Sequence, residues 1–315
     1  MRRLVGALLL CALVTGCSSA PAETAGPSTP VETMFGVVEV PANPQRVVAL
    51  GWGDAEAALA LGVQPVAASD WQAYGGVGVG PSAADRYTTP PTVLGTLQVD
   101  PEAVAALDPD VILWTRSNND QGLYETFSRI APTVAPPPGT TRAYGTLYDE
   151  QTRLVAAALG RPEQGEELIS GVERQFADVR AAHPGWAGEE VAVGVYNAGQ
   201  FAAYVNGGAR ADFMADLGFT LKPEINELPA EAFSAPLGTE NVSALDADLT
   251  VLFLLAATGD EVRANPLVQQ LESTKAGRLL VLDDKSVSKS LSSGTVLGTR
   301  YAIETVVPLV EATQV

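Results

Sequence analysis

The sequence has few of the residues on which metal sites, disulfides and covalent catalysis commonly depend. Its 315 residues include two cysteines, Cys11 and Cys17, and one histidine, His183. A single histidine cannot supply the several imidazoles that sites for bare zinc or manganese use. A Ser-His-Asp triad would have to use His183, and the G-x-S-x-G and Walker A patterns do not occur. These absences argue against a metal centre and against the common hydrolase and nucleotide-binding classes.

The N-terminal apolar run is too short to cross a bilayer. Arg2 and Arg3 precede an apolar stretch that ends at Val14, and a small-residue run then leads to Cys17. This order is typical of an export signal peptide, which we place at residues 1–16. The run ending in Cys17 resembles the bacterial lipobox, which implies that Cys17 becomes the lipidated, palmitate-bearing first residue. The alternative is an ordinary cleavable signal.

Loss of the signal peptide would change both the thiol content and the charge. Cys11 would leave with it, so the mature chain would keep only Cys17 and could form no disulfide or thiolate metal site. Removal of Arg2 and Arg3 leaves 17 of the 19 basic residues against 37 acidic ones, a formal charge of −20. Such a surface repels nucleic acid and anionic headgroups, so the lipid would be the membrane attachment.

Alternation of strand and helix patterns predicts an α/β protein with two lobes. Residues 17–34 are rich in Pro, Ser, Thr and Ala, and we interpret them as a flexible tether. Short β-branched runs at 35–41 and 44–51 predict a hairpin that leads into a buried strand. Strand and helix patterns alternate through an N-terminal lobe, 35–146, and again through a C-terminal lobe, 187–315. Between them, 147–186 reads as helical, with a connector from Pro162 to Ala182.

The two predicted lobes share an internal sequence repeat. The segment VDPEAVAALDPDVIL at 99–113 aligns with LGTENVSALDADLTV at 237–251. Polar positions match as well as apolar ones, including Glu102 with Glu240 and Asp110 with Asp248. Each copy predicts a short helix, a turn and a buried strand. Either a duplication or convergence on a common helix–turn–strand pattern explains the match.

From Phe35 to Val310 the chain resembles the solute-binding proteins of bacterial ATP-driven importers for ferric siderophores, haem and cobalamin. The most specific segments are PQRVVALGWGDAEAALALGVQPVAASDW at 44–71, LDPDVIL at 107–113, IAPTVA at 130–135 and RAAHPGW at 180–186. The resemblance implies the class III periplasmic-binding-protein fold, in which two Rossmann-like lobes with mostly parallel sheets are joined by one long helix. It also implies a monomer that works with an ABC transporter permease dimer.

The same resemblance gives Glu102 and Glu240 a role. The family carries one carboxylate on each lobe, at the start of a short helix, and these carboxylates bind arginines of the permease. Glu102 and Glu240 occupy those positions. The alternative is that each glutamate only stabilises the helix dipole in the first turn.

Ligands of two-lobed α/β proteins bind at the carboxyl ends of the strands, which selects a set of candidates. Aromatic side chains there provide apolar surface, and arginines provide donors for chelate oxygens. The candidates are Trp52, Trp71, Tyr74, Arg116, Tyr144, Tyr196, Tyr204 and Arg210, together with a predicted loop from Lys289 to Ser293. Alternatively, Trp52 only caps the core and Arg210 holds Asp212 on the surface.

The sequence therefore predicts a lipid-anchored binding protein on the extracytoplasmic face of the membrane, not an enzyme. We expect it to capture a ferric siderophore of the hydroxamate or mixed type, with no cofactor and no directly coordinated metal. Haem or cobalamin is the alternative ligand. A serine hydrolase is a further alternative, because Ser286-Val287-Ser288-Lys289 matches S-x-x-K. That segment follows a predicted strand without opening a helix, and no S-D-N or K-T-G pattern accompanies it.

We predict that Cys17→Ala moves most of the protein from the membrane fraction to the soluble fraction and leaves ligand binding unchanged. The reason is that the expected lipid is the attachment and lies outside the predicted lobes. Cell fractionation with immunoblotting measures the distribution. A variant that stays wholly in the membrane fraction would contradict the lipid anchor.

Overall fold

The computed structural model of the protein describes residues 26–96, 98–229 and 233–313. The predicted signal peptide, Cys17 and the first part of the predicted tether lie outside these residues. Within the described ranges, no helix combines the length and the apolar character needed to cross a membrane.

The first described element is an antiparallel hairpin of β1 (Ser28–Thr33) and β2 (Gly36–Pro41). The tether prediction is therefore wrong for residues 28–33. Burial alternates along β1, with Val31 and Thr33 buried and their neighbours exposed, which is the pattern of a half-buried strand. The Thr33 hydroxyl donates to the Gly36 carbonyl at 2.8 Å and closes the turn.

The predicted pairing of residues 35–41 with residues 44–51 is also wrong. The strand at Val47–Ala49 belongs to a five-stranded parallel sheet in the order β5-β4-β3-β6-β7. This sheet and its helices, here the first lobe, consist of β3 (Val47–Ala49), α1 (Asp54–Ala60), β4 (Ala67–Ala68), β5 (Thr92–Val93), α2 (Pro101–Ala105), β6 (Val111–Leu113), α3 (Gln121–Ser128) and β7 (Thr133–Val134). A 3-10 turn spans Ala84–Arg86.

Two helices follow the first lobe, α4 (Tyr148–Ala158) and α5 (Pro162–Ala182). The predicted long helix is confirmed, with Pro162 in its first turn, and its 21 residues span about 30 Å. Its buried face includes Phe176, which packs edge-on against Phe213 with ring centroids 5.6 Å apart. A 3-10 turn at Pro184–Trp186 follows. The lobe boundaries at residues 146 and 187 stay a prediction.

The second lobe is built on a six-stranded sheet that is mixed. Its elements are β8 (Glu190–Asn197), β9 (Gln200–Tyr204), α6 (Ala209–Asp216), β10 (Thr220–Leu221), α7 (Pro223–Asn226), β11 (Ser234–Leu237), a 3-10 helix (Thr239–Leu245), β12 (Leu249–Leu255), α8 (Gly259–Arg263), α9 (Pro266–Gln270), α10 (Glu272–Lys275) and β13 (Leu279–Leu282). Strands β8, β10, β12 and β13 pair in parallel, and β9 and β11 add an antiparallel edge. The predicted α/β fold with one main sheet in each lobe is confirmed.

Two helices end the described chain, α11 (Lys285–Ser293) and α12 (Val296–Glu311). The predicted loop from Lys289 to Ser293 is therefore wrong, and the S-x-x-K segment does open a helix. The Asp284 carboxylate caps α11 by accepting from the Ser286 amide at 2.7 Å. Serine favours caps and turns over helix interiors, so the serine-rich sequence hid this helix. Helix α12 packs against both α5 and α1, which joins the cores of the two lobes.

The two copies of the internal repeat fold in corresponding ways. In each, a short helix leads into a strand that lies beside the first strand of its sheet, β6 beside β3 and β12 beside β8. The Asp110 carboxylate accepts from the Arg46 amide at 2.8 Å, just before β3, and Asp248 accepts from the Glu190 amide at 2.9 Å, at the start of β8. The correspondence of polar contacts favours duplication over convergence.

Candidate functional site

Three aromatic side chains from different strand ends stack on one another at the carboxyl edge of the first sheet. Trp52 follows β3, Trp71 follows β4 and Tyr144 lies after β7. Trp52 is in the middle, with its ring centroid 4.5 Å from that of Trp71 and 3.8 Å from that of Tyr144. All three are half-buried, so the group, here called the aromatic stack, keeps an accessible edge. Sequence reasoning placed these residues at the ligand cleft, and the structure brings them together.

The Tyr144 backbone is fixed in an uncommon conformation. Its φ of 57° is in the left-handed region, which side-chain-bearing residues rarely adopt. The Tyr144 amide donates to the Ser117 carbonyl at 2.6 Å, and Arg116 Nε donates to the Tyr144 carbonyl at 3.1 Å. These bonds hold the Tyr144 ring against Trp52.

A cavity of about 540 Å³ adjoins the stack. This volume lies within the range that small-molecule sites occupy in proteins. Apolar and polar groups converge on it, among them Leu50, Trp52, Ser69, Trp114, Arg116, Ser117, Asn118, Phe127 and Tyr144. Trp114 is buried and packs edge-on against Phe127, with centroids 5.8 Å apart. The cavity offers a wide apolar surface with a few donors, which suits a bulky ligand with oxygen atoms on its surface.

Arg116 lines this cavity and bridges the two lobes. Its side chain is buried, and Nη1 donates to the carbonyls of Ser293 at 2.5 Å and Gly294 at 3.4 Å. Burial, and then the charge of Arg210, lower the pKa of Arg116 to about 10. The guanidinium therefore stays charged at neutral pH and brings a fixed positive charge to the cavity wall.

Arg210 and Tyr204 lie together in the second lobe. The Arg210 guanidinium is 4.7 Å from the centre of the Tyr204 ring and 5.5 Å from that of Phe253, a cation–π arrangement. Arg210 Nε donates to the Ser292 hydroxyl at 2.9 Å, and burial lowers its pKa. The alternative in which Arg210 holds Asp212 is not what the structure shows, because Asp212 accepts from the Gly207 amide at 2.8 Å. Arg116 and Arg210 both donate to residues at the C-terminal end of α11, Ser293 and Ser292.

Four of the predicted ligand residues neither join the stack nor line the cavity: Tyr204 and Arg210, described above, and Tyr74 and Tyr196. The Tyr74 hydroxyl points to the Lys289 carbonyl at 3.4 Å, and Lys289 Nζ is 4.9 Å from the centre of its ring. Tyr196 is buried, packs edge-on against Phe201 at 4.9 Å and donates to Glu261 Oε1 at 3.2 Å. Side chains alternate along β8, so Tyr196 points into the core on one face of the second sheet.

Sequence reasoning missed Glu56, a buried carboxylate at the junction of the lobes. The Glu56 carboxylate accepts from the Thr295 hydroxyl, just before α12, and from the Gly80 amide at 3.1 Å. Its neighbour Asp54 accepts from the Thr115 amide at 3.0 Å and from Gln151 Nε2 at 2.8 Å. The available signal was a pair of acidic residues in a helix otherwise made of Ala and Leu.

The proposed docking residues occupy equivalent exposed positions. Glu102 lies in the first turn of α2, and Glu240 lies in the first turn of the 3-10 helix at Thr239–Leu245. Both side chains are exposed. One carboxylate is thus available on each lobe.

Burial of Asp54 predicts a pH dependence of folding. Burial raises its pKa from 3.8 to about 6, although hydrogen bonds from Thr115 and Gln151 oppose the shift. The folded state then binds a proton more readily than the unfolded state, so this group's contribution to stability falls as pH rises from 4 to 6. We predict that the unfolding free energy of wild type, relative to Asp54→Asn, drops by about 2 kcal/mol over that range.

Urea denaturation of both proteins between pH 4 and pH 7 measures this difference. Asp178→Asn, which removes an exposed carboxylate of α5, is the matched control. A difference between wild type and Asp54→Asn that is the same at pH 4 and pH 7 would show that Asp54 does not titrate as its burial requires.

Known proteins resemble this chain over most of its length. The Fe(3+)-citrate-binding protein YfmC of Bacillus subtilis (strain 168) is 25% identical over 290 residues, which is 88% of this chain and 87% of that protein. The crystal structure of a periplasmic solute binding protein from Mycobacterium smegmatis has a TM-score of 0.77 at 27% identity, with coverage of 91% of this chain and 99% of that one.

A third similar structure contains a bound ligand. Streptococcus pneumoniae TIGR4 PiaA in complex with ferrichrome has a TM-score of 0.75 at 26% identity, and the match covers 91% of this chain and 99% of PiaA. Residues 47–286, more than half of the 315, match the periplasmic binding protein family. The chain therefore belongs to the periplasmic binding protein family.

Proposed function

We propose that this protein captures a ferric siderophore of the hydroxamate or mixed type and delivers it to an ABC-type permease dimer for iron uptake. The observation that carries the proposal is the aromatic stack beside the 540 Å³ cavity, with the Arg116 guanidinium in its wall. The names of the relatives point the same way, since one is described as binding Fe(3+)-citrate and another as a complex with ferrichrome.

The chemistry of the cavity favours a chelate of low net charge. Three hydroxamate groups neutralise one ferric ion, so such a chelate presents an apolar body edged with oxygen atoms. Trp52 and Tyr144 offer surface for the body, and Arg116 offers donors for the oxygens. A tris-catecholate complex carries three negative charges, and a chain with a formal charge of −18 repels it at long range.

Binding without chemical conversion is the activity that this site supports. The S-x-x-K segment lies on α11, but Lys289 Nζ donates to the Ala73 carbonyl at 3.0 Å and so serves a contact between the lobes. We propose that the chain holds its ligand without transforming it. Haem and cobalamin, the alternative ligands that the sequence resemblance implies, become alternative outcomes of the binding test.

We predict that ferric hydroxamates quench the tryptophan fluorescence of the protein at lower concentration than ferric citrate, ferric tris-catecholates, haem or cobalamin. Trp71→Ala should weaken hydroxamate binding about tenfold, since it removes one ring of the stack. Trp186→Phe is the control, because Trp186 packs between His183 and Phe219, apart from the stack. If no iron chelate quenches the fluorescence, the proposal is refuted. If haem or cobalamin binds more tightly than the ferric hydroxamates, that compound replaces the siderophore as the proposed ligand.

Delivery to the permease is proposed to use Glu102 and Glu240. The two carboxylates are exposed at matching positions of the repeat, one on each lobe, and can pair with arginines on the two halves of a permease dimer. A lipid on Cys17 would keep the protein on the extracytoplasmic face of the membrane, close to that permease. We propose that the protein does this work as a monomer.

Replacement of both Glu102 and Glu240 by Gln should reduce cellular uptake of a labelled ferric chelate about tenfold or more, through loss of two charge pairs, while chelate affinity stays unchanged. Glu125→Gln, an exposed residue of α3, is the control. Wild-type uptake by the double variant would contradict the docking role. A loss of chelate affinity as large as the loss of uptake would show that these residues act in ligand binding and not in docking.

A further inference from the structure

Arg142 lies on the loop between β7 and α4 and reaches across to the second lobe. Its Nη1 atom donates to the carbonyls of Asn206 at 3.0 Å and Gly207 at 2.9 Å, on the loop between β9 and α6. Its guanidinium also lies 5.8 Å from the centre of the Phe233 ring. One half-buried side chain thus fastens a loop of the first lobe to the second lobe.

The acceptor loop is shaped for this contact. Gly207 has a φ of 80°, and a Cβ atom at this position would lie 2.7 Å from Arg142 Nη1. The Gly207 amide donates to Asp212 Oδ1 at 2.8 Å, and the Asn206 amide donates to Asn226 Oδ1 at 3.0 Å. The two carbonyls are therefore held in place, and a side chain at position 207 would be strained at this φ and would push the guanidinium away.

The turn that carries Arg142 also carries Tyr144 of the aromatic stack. The Gly145 amide donates to the Arg142 carbonyl at 3.1 Å and closes a four-residue turn. Tyr144 presents its ring to Trp52 at 3.8 Å, while Arg142, two residues earlier, contacts the second lobe. A shift of Tyr144 against a ligand would therefore move the base of the Arg142 side chain.

Arg142 differs from the other contacts between the lobes. Arg116 also bridges them, but it lines the cavity, so its loss would remove a ligand contact as well. Gln72 donates to the carbonyl of Lys289 in α11 at 2.9 Å. Arg142 does not line the 540 Å³ cavity among the described residues, so its substitution leaves the cavity wall intact.

We infer that Arg142 is a positioning residue that couples ligand contact at Tyr144 to closure of the lobes, and that it sets how long the chelate stays bound. The inference rests on the proposed function for its ligand. Two hydrogen bonds from a charged donor must break before the lobes separate, and charged donors make the stronger hydrogen bonds of proteins. In this proposal the chelate leaves when the lobes separate, so Arg142 acts mainly on the dissociation rate.

Stopped-flow fluorescence with a ferric hydroxamate tests the kinetic part. Arg142→Gln should raise the dissociation rate about tenfold and change the association rate less than about threefold. Arg142→Lys should have a dissociation rate between those of wild type and Arg142→Gln. Both hydrogen bonds come from one nitrogen, which a lysine ammonium can replace, although the lysine side chain is shorter. Arg129→Gln is the control, since Arg129 is exposed and donates to Thr126 of α3, the helix that it directly follows. A wild-type dissociation rate in Arg142→Gln, or an affinity change confined to the association rate, would overturn the inference.

Hydrogen exchange without ligand tests the contact of Arg142 with the Asn206 and Gly207 carbonyls separately from ligand binding. Arg142→Gln should exchange amides several times faster than wild type in the segments 136–147 and 204–214, and at the wild-type rate in 285–293. Unchanged exchange in both loops would show that Arg142 does not hold the two lobes together, even if the chelate binds. If the wild type binds no iron chelate but Arg142→Gln exchanges faster, the contact between the lobes is supported and the proposed ligand is refuted.

Discussion

A group of buried charges at the junction of the two lobes constrains the rest of the structure. Asp54 and Glu56 on α1 and Arg116 after β6 are all buried. A buried charge is costly unless hydrogen bonds compensate it, and here each charged group bonds to a different segment of the chain. The bonding partners are Thr115 and Gln151 for Asp54, Gly80 and Thr295 for Glu56, and Tyr144, Ser293 and Gly294 for Arg116. These segments must be in place together, which fixes the two lobes relative to each other beside the cavity.

The ligand surface follows from that constraint. Arg116 holds the Tyr144 carbonyl, and the Tyr144 ring in turn packs against Trp52. The stack is therefore supported by a buried guanidinium and not by loop conformation alone. Pre-organised aromatic surfaces lose little entropy when a ligand binds, which suits the capture of a scarce chelate. The same guanidinium contacts Ser293 and Gly294, which lead into α12. Arg116 therefore belongs both to the cavity wall and to the junction of the lobes.

The sequence predicted the features whose signals are local. Strand and helix alternation predicted the two α/β lobes, and Pro162 marked the start of the long helix. The tryptophans at strand ends predicted two members of the stack. Segments with weak local signals were misassigned. Strand β1 contributes only Val31 as a buried hydrophobic residue, and α11 is rich in serine, which favours turns.

The remaining errors concern contacts between distant parts of the chain. Glu56 and Thr295 are 239 positions apart, and Arg142 and Gly207 are 65 apart, so no local pattern marks either pair. Tyr196 was assigned to the cleft because it ends a strand, but the face to which it points depends on the register of the sheet. A buried carboxylate in an Ala-rich helix and a glycine at a crowded turn are recognisable only once their partners are known.

The most direct test of the central claim is a crystal structure of the protein with a bound ferric hydroxamate, in which anomalous scattering locates the iron. We predict that the iron lies in the 540 Å³ cavity, with the chelate against the Trp52 and Tyr144 rings and a chelate oxygen within hydrogen-bonding distance of Arg116. Iron located elsewhere, for instance in the narrower cavity lined by Phe176 and Phe213, would contradict it.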